Sequence, residues 1–424
     1  MLYKKIKQCR ICGNSKLVEV LNLGKMALTG VFPKIEENVE EGPLVLVKCD
    51  DSKGKHCGLL QLAHNYDLSQ LYGDNYGYRS GLNQSMVDHL QSIVRGIERL
   101  VSLKDGDLVI DIGSNDGTTL RSYKNQDLEL VGIDPSAEKF RMFYPNHIQI
   151  IPDFFSSKLV VNRNSAQGGS ASGGKKAKVI TSIAMFYDLE DPTWFVKEIY
   201  DTLANDGVWV FEQSYMPRML ENTSYDTICH EHLEYYSLKQ ILWMFKQVGF
   251  KVVDVELNEI NGASFKIIAA KKTSKLKVNT AKIKKLVQAE EEQKLDQIKT
   301  YTAFADAVSE YNQKLVEFVR SINDSGKKIF GYGASTKGNV ILQACGFTIR
   351  DIPYIAEVNQ YKFGKLTPGT NIPIISEEKA KSMKPDYFLV LPWHFKENIV
   401  KREASFIENG GKLVFPLPQI EVIG

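Results

Sequence analysis

The stretch Asp107–Asp134, DLVIDIGSNDGTTLRSYKNQDLELVGID, constrains this chain more than any other. Two apolar, β-rich runs at 108–112 and 130–133 flank a glycine-bounded turn and a helix-length segment. That is the layout of a βαβ unit that holds a ligand at the carboxyl ends of its strands. The turn Gly113-Ser114-Asn115-Asp116-Gly117 lets the backbone approach a ligand without Cβ clashes. Asp134 closes the second strand 21 residues after Gly113, where a carboxylate can accept both hydroxyls of a ribose. The spacing is G-x-x-x-G rather than the G-x-G-x-x-G of dinucleotide sites, and no Walker lysine follows, which disfavours pyrophosphate and triphosphate ligands. S-adenosylmethionine fits better, with a ribose for Asp134, an ammonium group for Asp111 or the loop carbonyls, and no phosphate. Pro135 belongs to the same ligand edge.

At 424 residues the chain exceeds one core and predicts about two to four domains. A net charge of +2 gives no whole-chain electrostatic case for nucleic acid or an anionic membrane. The N-terminus MLYKKIKQC has charges but no apolar h-region, and no apolar run reaches the roughly 18 residues of a membrane span. The expectation is a cytoplasmic protein, monomeric or weakly homo-oligomeric, with neither nucleic acid nor membrane as partner.

Four of the six cysteines fall within the first 57 residues, as Cys9-x-x-Cys12 and Cys49 with Cys57. Two such knuckles can close a tetrahedral structural zinc shell, which leaves no open position for chemistry. The second pair encloses DDSKGKH, an enlarged knuckle, and its His56 is a possible substitute ligand. The Gly- and Tyr-rich loop that follows supplies Tyr76, Tyr78, Arg79 and Ser80, and from Asn83 the spacing of Met86, Leu90, Ile93 and Ile97 predicts an amphipathic helix.

Beyond Asp134 the alternation continues with strands at 148–151, 179–185 and 207–215 and a helix over 193–203. Strand ends on one edge bring Asp153, Phe154, Met185 and Phe186 toward the adenine side of a bound cofactor. The segment 162–176, NRNSAQGGSASGGKK, reads as a mobile loop. In 224–237, SYDTICHEHLEYYS, the run His230-Glu231-His232 predicts a general base with a carboxylate to orient it. A helix over 238–249 and strands at 252–257 and 265–270 complete the sheet as a hairpin. The seven lysines between 271 and 285 lack interleaved aromatics and read as a solvated face. A long helix from Ile298 to Ile322 then connects to a second, smaller α/β unit, where Gly333, Lys337 and Asn339 at a strand end and helix start suit an anion such as a diphosphate. Tyr361 and Lys365 could line the same cleft.

The ordered series of cysteine knuckles, YGYRSG, VIDIGSNDGT, EQSYMP, ICHEHLEYYS and FGYGASTKGN resembles the three-domain sugar C-methyltransferases, which act on nucleotide-linked 4-keto deoxysugars. The resemblance covers nearly the whole chain. It implies an α/β architecture: a zinc-binding lobe (1–75), a class I S-adenosylmethionine-dependent methyltransferase core of Rossmann-like fold (76–275), and a linker helix with a Rossmann-like nucleotide-sugar-binding domain (276–424). Carried over, Asp111, Gly113, Asn115, Gly117 and Asp134 bind cofactor, and His232, helped by Glu231 and a tyrosine of the 76–78 loop, is the base that opens methylation at C3. Three departures stand out: the stretched zinc pair, Cys229 where a tyrosine is common, and Tyr187-Asp188 in place of a histidine. Zinc knuckles on a methyltransferase core would also suit RNA or protein as acceptor, and a non-catalytic cofactor-binding module is the third expectation.

Overall fold

A computed structural model describes residues 2–71, 78–160 and 174–424. Tyr76 and most of the low-complexity segment lie outside these residues.

The central sheet has seven strands in the order Phe250–Asn258, Ser264–Lys271, Leu203–Ser214, Ala177–Ile183, Leu108–Ile112, Glu129–Ile133, Ile148–Ile151. The five from Ile148–Ile151 across to Leu203–Ser214 are parallel, and the expected hairpin closes the sheet antiparallel. This is the class I methyltransferase arrangement, with the strand order reversing beside Leu108–Ile112. One expectation fails locally, because only a 3-10 turn at Leu120–Ser122 fills the helix-length segment after Gly117. The span is short and carries two β-branched threonines, and Asn125 turns the chain back by accepting from Asp127 N at 2.9 Å.

A second parallel sheet, ordered Ile374–Ser376, Ile355–Glu357, Ile329–Tyr332, Tyr387–Val390, Lys412–Phe415, with Glu421–Ile423 antiparallel at its edge, forms the C-terminal unit. The helix Ile298–Asp324 does more than link. Its buried stripe, Tyr301, Phe304, Val308, Tyr311, Leu315, Val319 and Ile322, joins one hydrophobic core with the N-terminal strands and the C-terminal sheet.

The N-terminal lobe is likewise continuous with its neighbours. Its antiparallel sheet runs Leu17–Ala27, Glu41–Cys49, Leu60–Leu62, and the fourth strand is Glu234–Tyr235 from the middle of the chain. The segment carrying His230-Glu231-His232 is therefore anchored in a sheet begun more than a hundred residues earlier. It passes directly into the helix Leu238–Val248, which starts at a capping box between Ser237 and Gln240 and stops at Gly249 with φ 104°. Among the described residues no helix is long and apolar enough to cross a membrane.

Candidate active site

The glycine turn is built as its sequence requires. Gly113, Asn115 and Gly117 all have positive φ, at 72°, 49° and 74°. A Cβ on Gly117 would meet the Tyr144 ring at 2.7 Å, and the Tyr144 hydroxyl donates to Asn115 O at 2.8 Å, so this tyrosine forms the floor of the turn. The Asp134 carboxylate accepts from Asn115 N (2.8 Å), Ser136 N (2.6 Å) and Ser136 Oγ (2.6 Å). Asp134 is thus buried, because the turn folds over it and draws on its carboxylate to hold the Asn115 N–H. Asp111 accepts from Thr181 Oγ1 at 2.5 Å, and burial pushes its carboxyl up to about 7. Met185 stands over Gly113, 3.1 Å from where a Cβ would lie, while Asp153, Pro135 and the half-exposed Phe154 rim the same edge. Phe186, expected beside them, is fully buried between Phe195, Trp209 and Tyr236, since the alternation after the strand turns it into the core.

The loop before the first helix is pinned to this turn. Asn115 Nδ2 donates to Tyr78 O (3.2 Å), and its Oδ1 accepts from Ser80 N (3.0 Å). Arg79 lies 4.2 Å over the Phe143 ring and 3.9 Å from Asp116 Oδ2, so this arginine is engaged by the glycine turn.

The three residues of the His-Glu-His run go to three different places. His230 is fully buried, with Nε2 3.2 Å from Gly42 O and its ring edge-on to Tyr66 at 4.9 Å. Its role as a second catalytic histidine is corrected to packing within the N-terminal lobe, since nothing of it faces a cleft. Glu231 does not orient His232 either: its carboxylate lies against Gly30, where a Cβ would collide with Oε1. The group that orients His232 is the Thr227 carbonyl, 2.8 Å from Nδ1. A carbonyl can only accept, so Nδ1 carries the proton and Nε2 the lone pair. The imidazole rests on Tyr187 at 4.2 Å between centroids, and burial, with help from the Lys337 ammonium, holds it down to about 3.

The far wall comes from the C-terminal unit. Lys337, in the first turn of the helix Thr336–Ala344, donates to Asn261 O at 2.6 Å, and Trp393 Nε1 donates to Asp226 Oδ2 at 2.8 Å. Asn339 is turned away from this wall. Fully buried, it donates from Nδ2 to Thr29 O at 2.7 Å, so it ties the helix to the N-terminal lobe instead of facing a diphosphate. Gly333 is required for a close approach, since a Cβ there would meet the Pro392 ring at 2.7 Å. Tyr361 is 85% exposed and Lys365 is half-buried.

At the N-terminus, Cys9, Cys12, Cys49 and Cys57 place their sulfurs within 4.8 Å of one another, with Cys9–Cys57 at 3.4 Å and Cys12–Cys49 at 3.6 Å. Sulfurs about 2.3 Å from a tetrahedral zinc would be about 3.8 Å apart, so the four fit that ion. The stretched knuckle still closes, because Asp51 inside it is clamped by Lys48 (2.5 Å) and Lys239 (2.6 Å). His56 stays outside the shell, 3.9 Å from Cys12 Sγ, and Asn14 Nδ2 donates to Cys49 Sγ at 3.4 Å.

Three family models tile the chain: a zinc binding domain over residues 9–72, a methyltransferase domain over 86–255, and a C-methyltransferase C-terminal domain over 259–418. C-methyltransferase NovU of Streptomyces niveus is 30% identical over 422 residues, covering 100% of this chain and 98% of its own. The chain belongs to the C-methyltransferase family. It is therefore an S-adenosylmethionine-dependent C-methyltransferase with a structural zinc lobe. A carboxy-S-adenosyl-L-methionine synthase of Nautilia profundicola matches at 27% identity over 43% of the chain and 87% of its own length. Among solved structures, the plantazolicin methyltransferase BpumL in complex with SAH covers 44% of this chain and 88% of its own, at 12% identity and a TM-score of 0.29.

Two groups of this C-methyltransferase escaped sequence reasoning. Tyr144 supports the glycine turn from a segment with no motif of its own. Glu212, at the end of its strand and 2% exposed, accepts from Asn258 Nδ2 (2.7 Å) and lies 2.6 Å from His89 Nε2. An acid near the end of a parallel strand, in GVWVFEQSY, was the available signal.

Proposed function

We propose that this enzyme methylates C3 of a nucleotide-linked 4-keto deoxysugar through an enolate, with His232 as the base. The observation that carries the reading is the Thr227 carbonyl on His232 Nδ1, which leaves Nε2 as the basic nitrogen of a neutral imidazole. Carbon methylation needs such a base, because a carbon must be deprotonated before it can attack. A carbonyl at C4 makes the C3 proton removable, since the charge left behind spreads onto oxygen.

S-adenosylmethionine, when bound, supplies an electrophilic methyl group. Gly113, Asn115 and Gly117 would give it backbone approach, Asp134 would take its ribose, and Asp111 would serve its ammonium end. Phe154, Asp153, Pro135 and Met185 would border the adenine. The Asp134 carboxylate has about four acceptor sites and uses three within the chain, so ribose binding would draw on the remaining one or exchange with the Ser136 hydroxyl. Holding donor and acceptor in register can supply about 7–11 kcal/mol of the barrier. Tyr78 and Ser80, tied to the turn through Asn115, belong to the acceptor side of this register.

The test is incubation with methyl-labelled cofactor and a panel of nucleotide-linked 4-keto sugars, followed by location of the label. Label on carbon 3 of at least one sugar is expected. Label on oxygen, or on no sugar of the panel, would end the reading.

A further inference from the structure

Lys337 reaches from the C-terminal unit to the hairpin of the methyltransferase unit. It is half-buried, and its ammonium donates to a single backbone carbonyl, Asn261 O at 2.6 Å. Among the described residues no carboxylate lies within ion-pairing distance of it. Asp226 is close enough to feel the charge, yet one of its oxygens accepts from Trp393 Nε1, and burial pushes its carboxyl up toward the neutral form. A cation withdrawn from water without an ion pair is costly, and such a group calls for an anion supplied by something that binds.

The surroundings say where that anion forms. The Lys337 charge acts on His232, Asp226, Cys229 and His394, so these five groups converge where the two α/β units meet. Two of them also carry buried polar atoms, Asp226 Oδ1 and His394 Nδ1, that have no partner among the described residues. The lysine is presented by a firm frame. Asn261 sits at a hairpin tip with φ 55°, a Cβ on Gly262 beside it would lie 3.2 Å from the Trp393 ring, and Ser335 caps the lysine's helix by accepting from Gly338 N at 3.0 Å.

We infer that Lys337 is a catalytic residue of the proton-removal step, its ammonium receiving the charge that develops on the C4 oxygen as His232 takes the C3 proton. The inference rests on the 4-keto sugar reading above and assigns the oxyanion partner of that reaction. In the step, the C3–H bond breaks and its electron pair becomes the π pair of a C3=C4 double bond, the C4=O π pair moves onto oxygen beside Lys337, and the proton goes to His232 Nε2. The coupling changes sign as the reaction proceeds. Before the reaction the free ammonium weakens the imidazole as a base; as the oxyanion forms it neutralises that ammonium, and the imidazolium becomes easier to hold. A lysine that served a diphosphate would act on binding, whereas one that meets the enolate oxygen acts on the rate of proton removal.

The experiment follows deuterium entering C3 from solvent, with the 4-keto sugar nucleotide that the wild-type enzyme accepts and S-adenosylhomocysteine in place of the methyl donor. Lys337→Met should slow exchange and methylation on the order of 10²-fold, and Lys337→Arg should recover part of both. Affinity for S-adenosylhomocysteine, and for the nucleoside diphosphate alone, should stay within about twofold, which also certifies that the variants fold. Exchange by Lys337→Met within about threefold of wild type would overturn the inference while leaving the substrate reading intact. A loss of nucleoside diphosphate affinity that matches the loss of exchange would overturn it in favour of a phosphate contact. Wild-type enzyme that exchanges no sugar of the panel would sink the substrate reading, and the inference with it.

Discussion

The two Rossmann-like units of this C-methyltransferase share a turn and use it differently. In the first, the strand Leu108–Ile112 runs into the Gly113 turn, and Asp134 at the end of the next strand accepts from Asn115 N at 2.8 Å. In the second, Ile329–Tyr332 runs into Gly333, and Glu357 at the end of its neighbour accepts from Ala334 N, also at 2.8 Å. Each acid therefore ties down its own turn. What differs is the space around the turn. Gly113 faces the flexible Met185 side chain and a rim of exposed groups, whereas Gly333 is closed by the Pro392 ring and Gly338 by Leu391. The second turn is filled, and its helix projects Lys337 and Asn339 outward into neighbouring parts of the chain. One unit keeps a ligand edge, and the other furnishes groups to an interface, which the N-terminal lobe seals by lending a sheet to the segment that carries His232.

That contrast can be broken in several ways, beginning with the lobe that holds the two units together. Removing zinc with a chelator, or replacing Cys12 by Ser, should unfold the N-terminal lobe, as structural zinc carries about 10–16 kcal/mol of apparent binding free energy in zinc-finger peptides. Because Glu234–Tyr235 pairs with this lobe, methylation should vanish with it, while the methyltransferase sheet persists. Metal analysis of purified protein that returns no zinc would refute the centre itself.

His232→Ala should lower both C3 exchange and methylation by about 10²–10⁴-fold, with cofactor affinity hardly changed. Glu231→Gln should cost less, since the Thr227 carbonyl and not Glu231 orients the imidazole. Wild-type exchange in both variants would move attention to Tyr78 and the 76–78 loop.

The two acids sharpen the comparison directly. Asp134→Asn should weaken S-adenosylmethionine binding by about 1.5–3 kcal/mol, the worth of a charge-assisted hydrogen bond. Glu357→Gln should leave that affinity unchanged by calorimetry. Equal losses from both would mean that the second unit senses the cofactor.

The smallest expected effect is on acid stability. Folding holds His232 down to about 3 and His230 down to about 4, against an ordinary value of 6.5. Below pH 6.5 the unfolded chain binds protons that the folded chain refuses, so stability falls as pH drops from there toward 4. Each histidine steepens this fall by up to about 1.4 kcal/mol per pH unit. His230→Gln should remove one histidine's share of the slope in urea unfolding between pH 6 and 5, without altering C3 exchange per folded molecule.

Periodicity, turn chemistry and cysteine spacing were enough to recognise the seven strands of the central sheet, the glycine turn with Asp134, the hairpin and the Cys9-x-x-Cys12 knuckle. All of these are set by interactions within a few residues or by a repeating pattern that one face of an element must satisfy. The helix-length segment after Gly117 misled because its length suited a helix while its threonines and Asn125 favoured turns. The partners of buried polar groups were beyond reach of the sequence. His230, Glu231 and His232 are consecutive, yet they meet Gly42, Gly30 and Thr227, and nothing in their spacing says so. Lys337 and Asn339 share one helix turn, yet one reaches Asn261 and the other Thr29. Such pairings are decided only when the sheets and helices pack together, because a buried donor or acceptor takes whichever partner the packing brings to it.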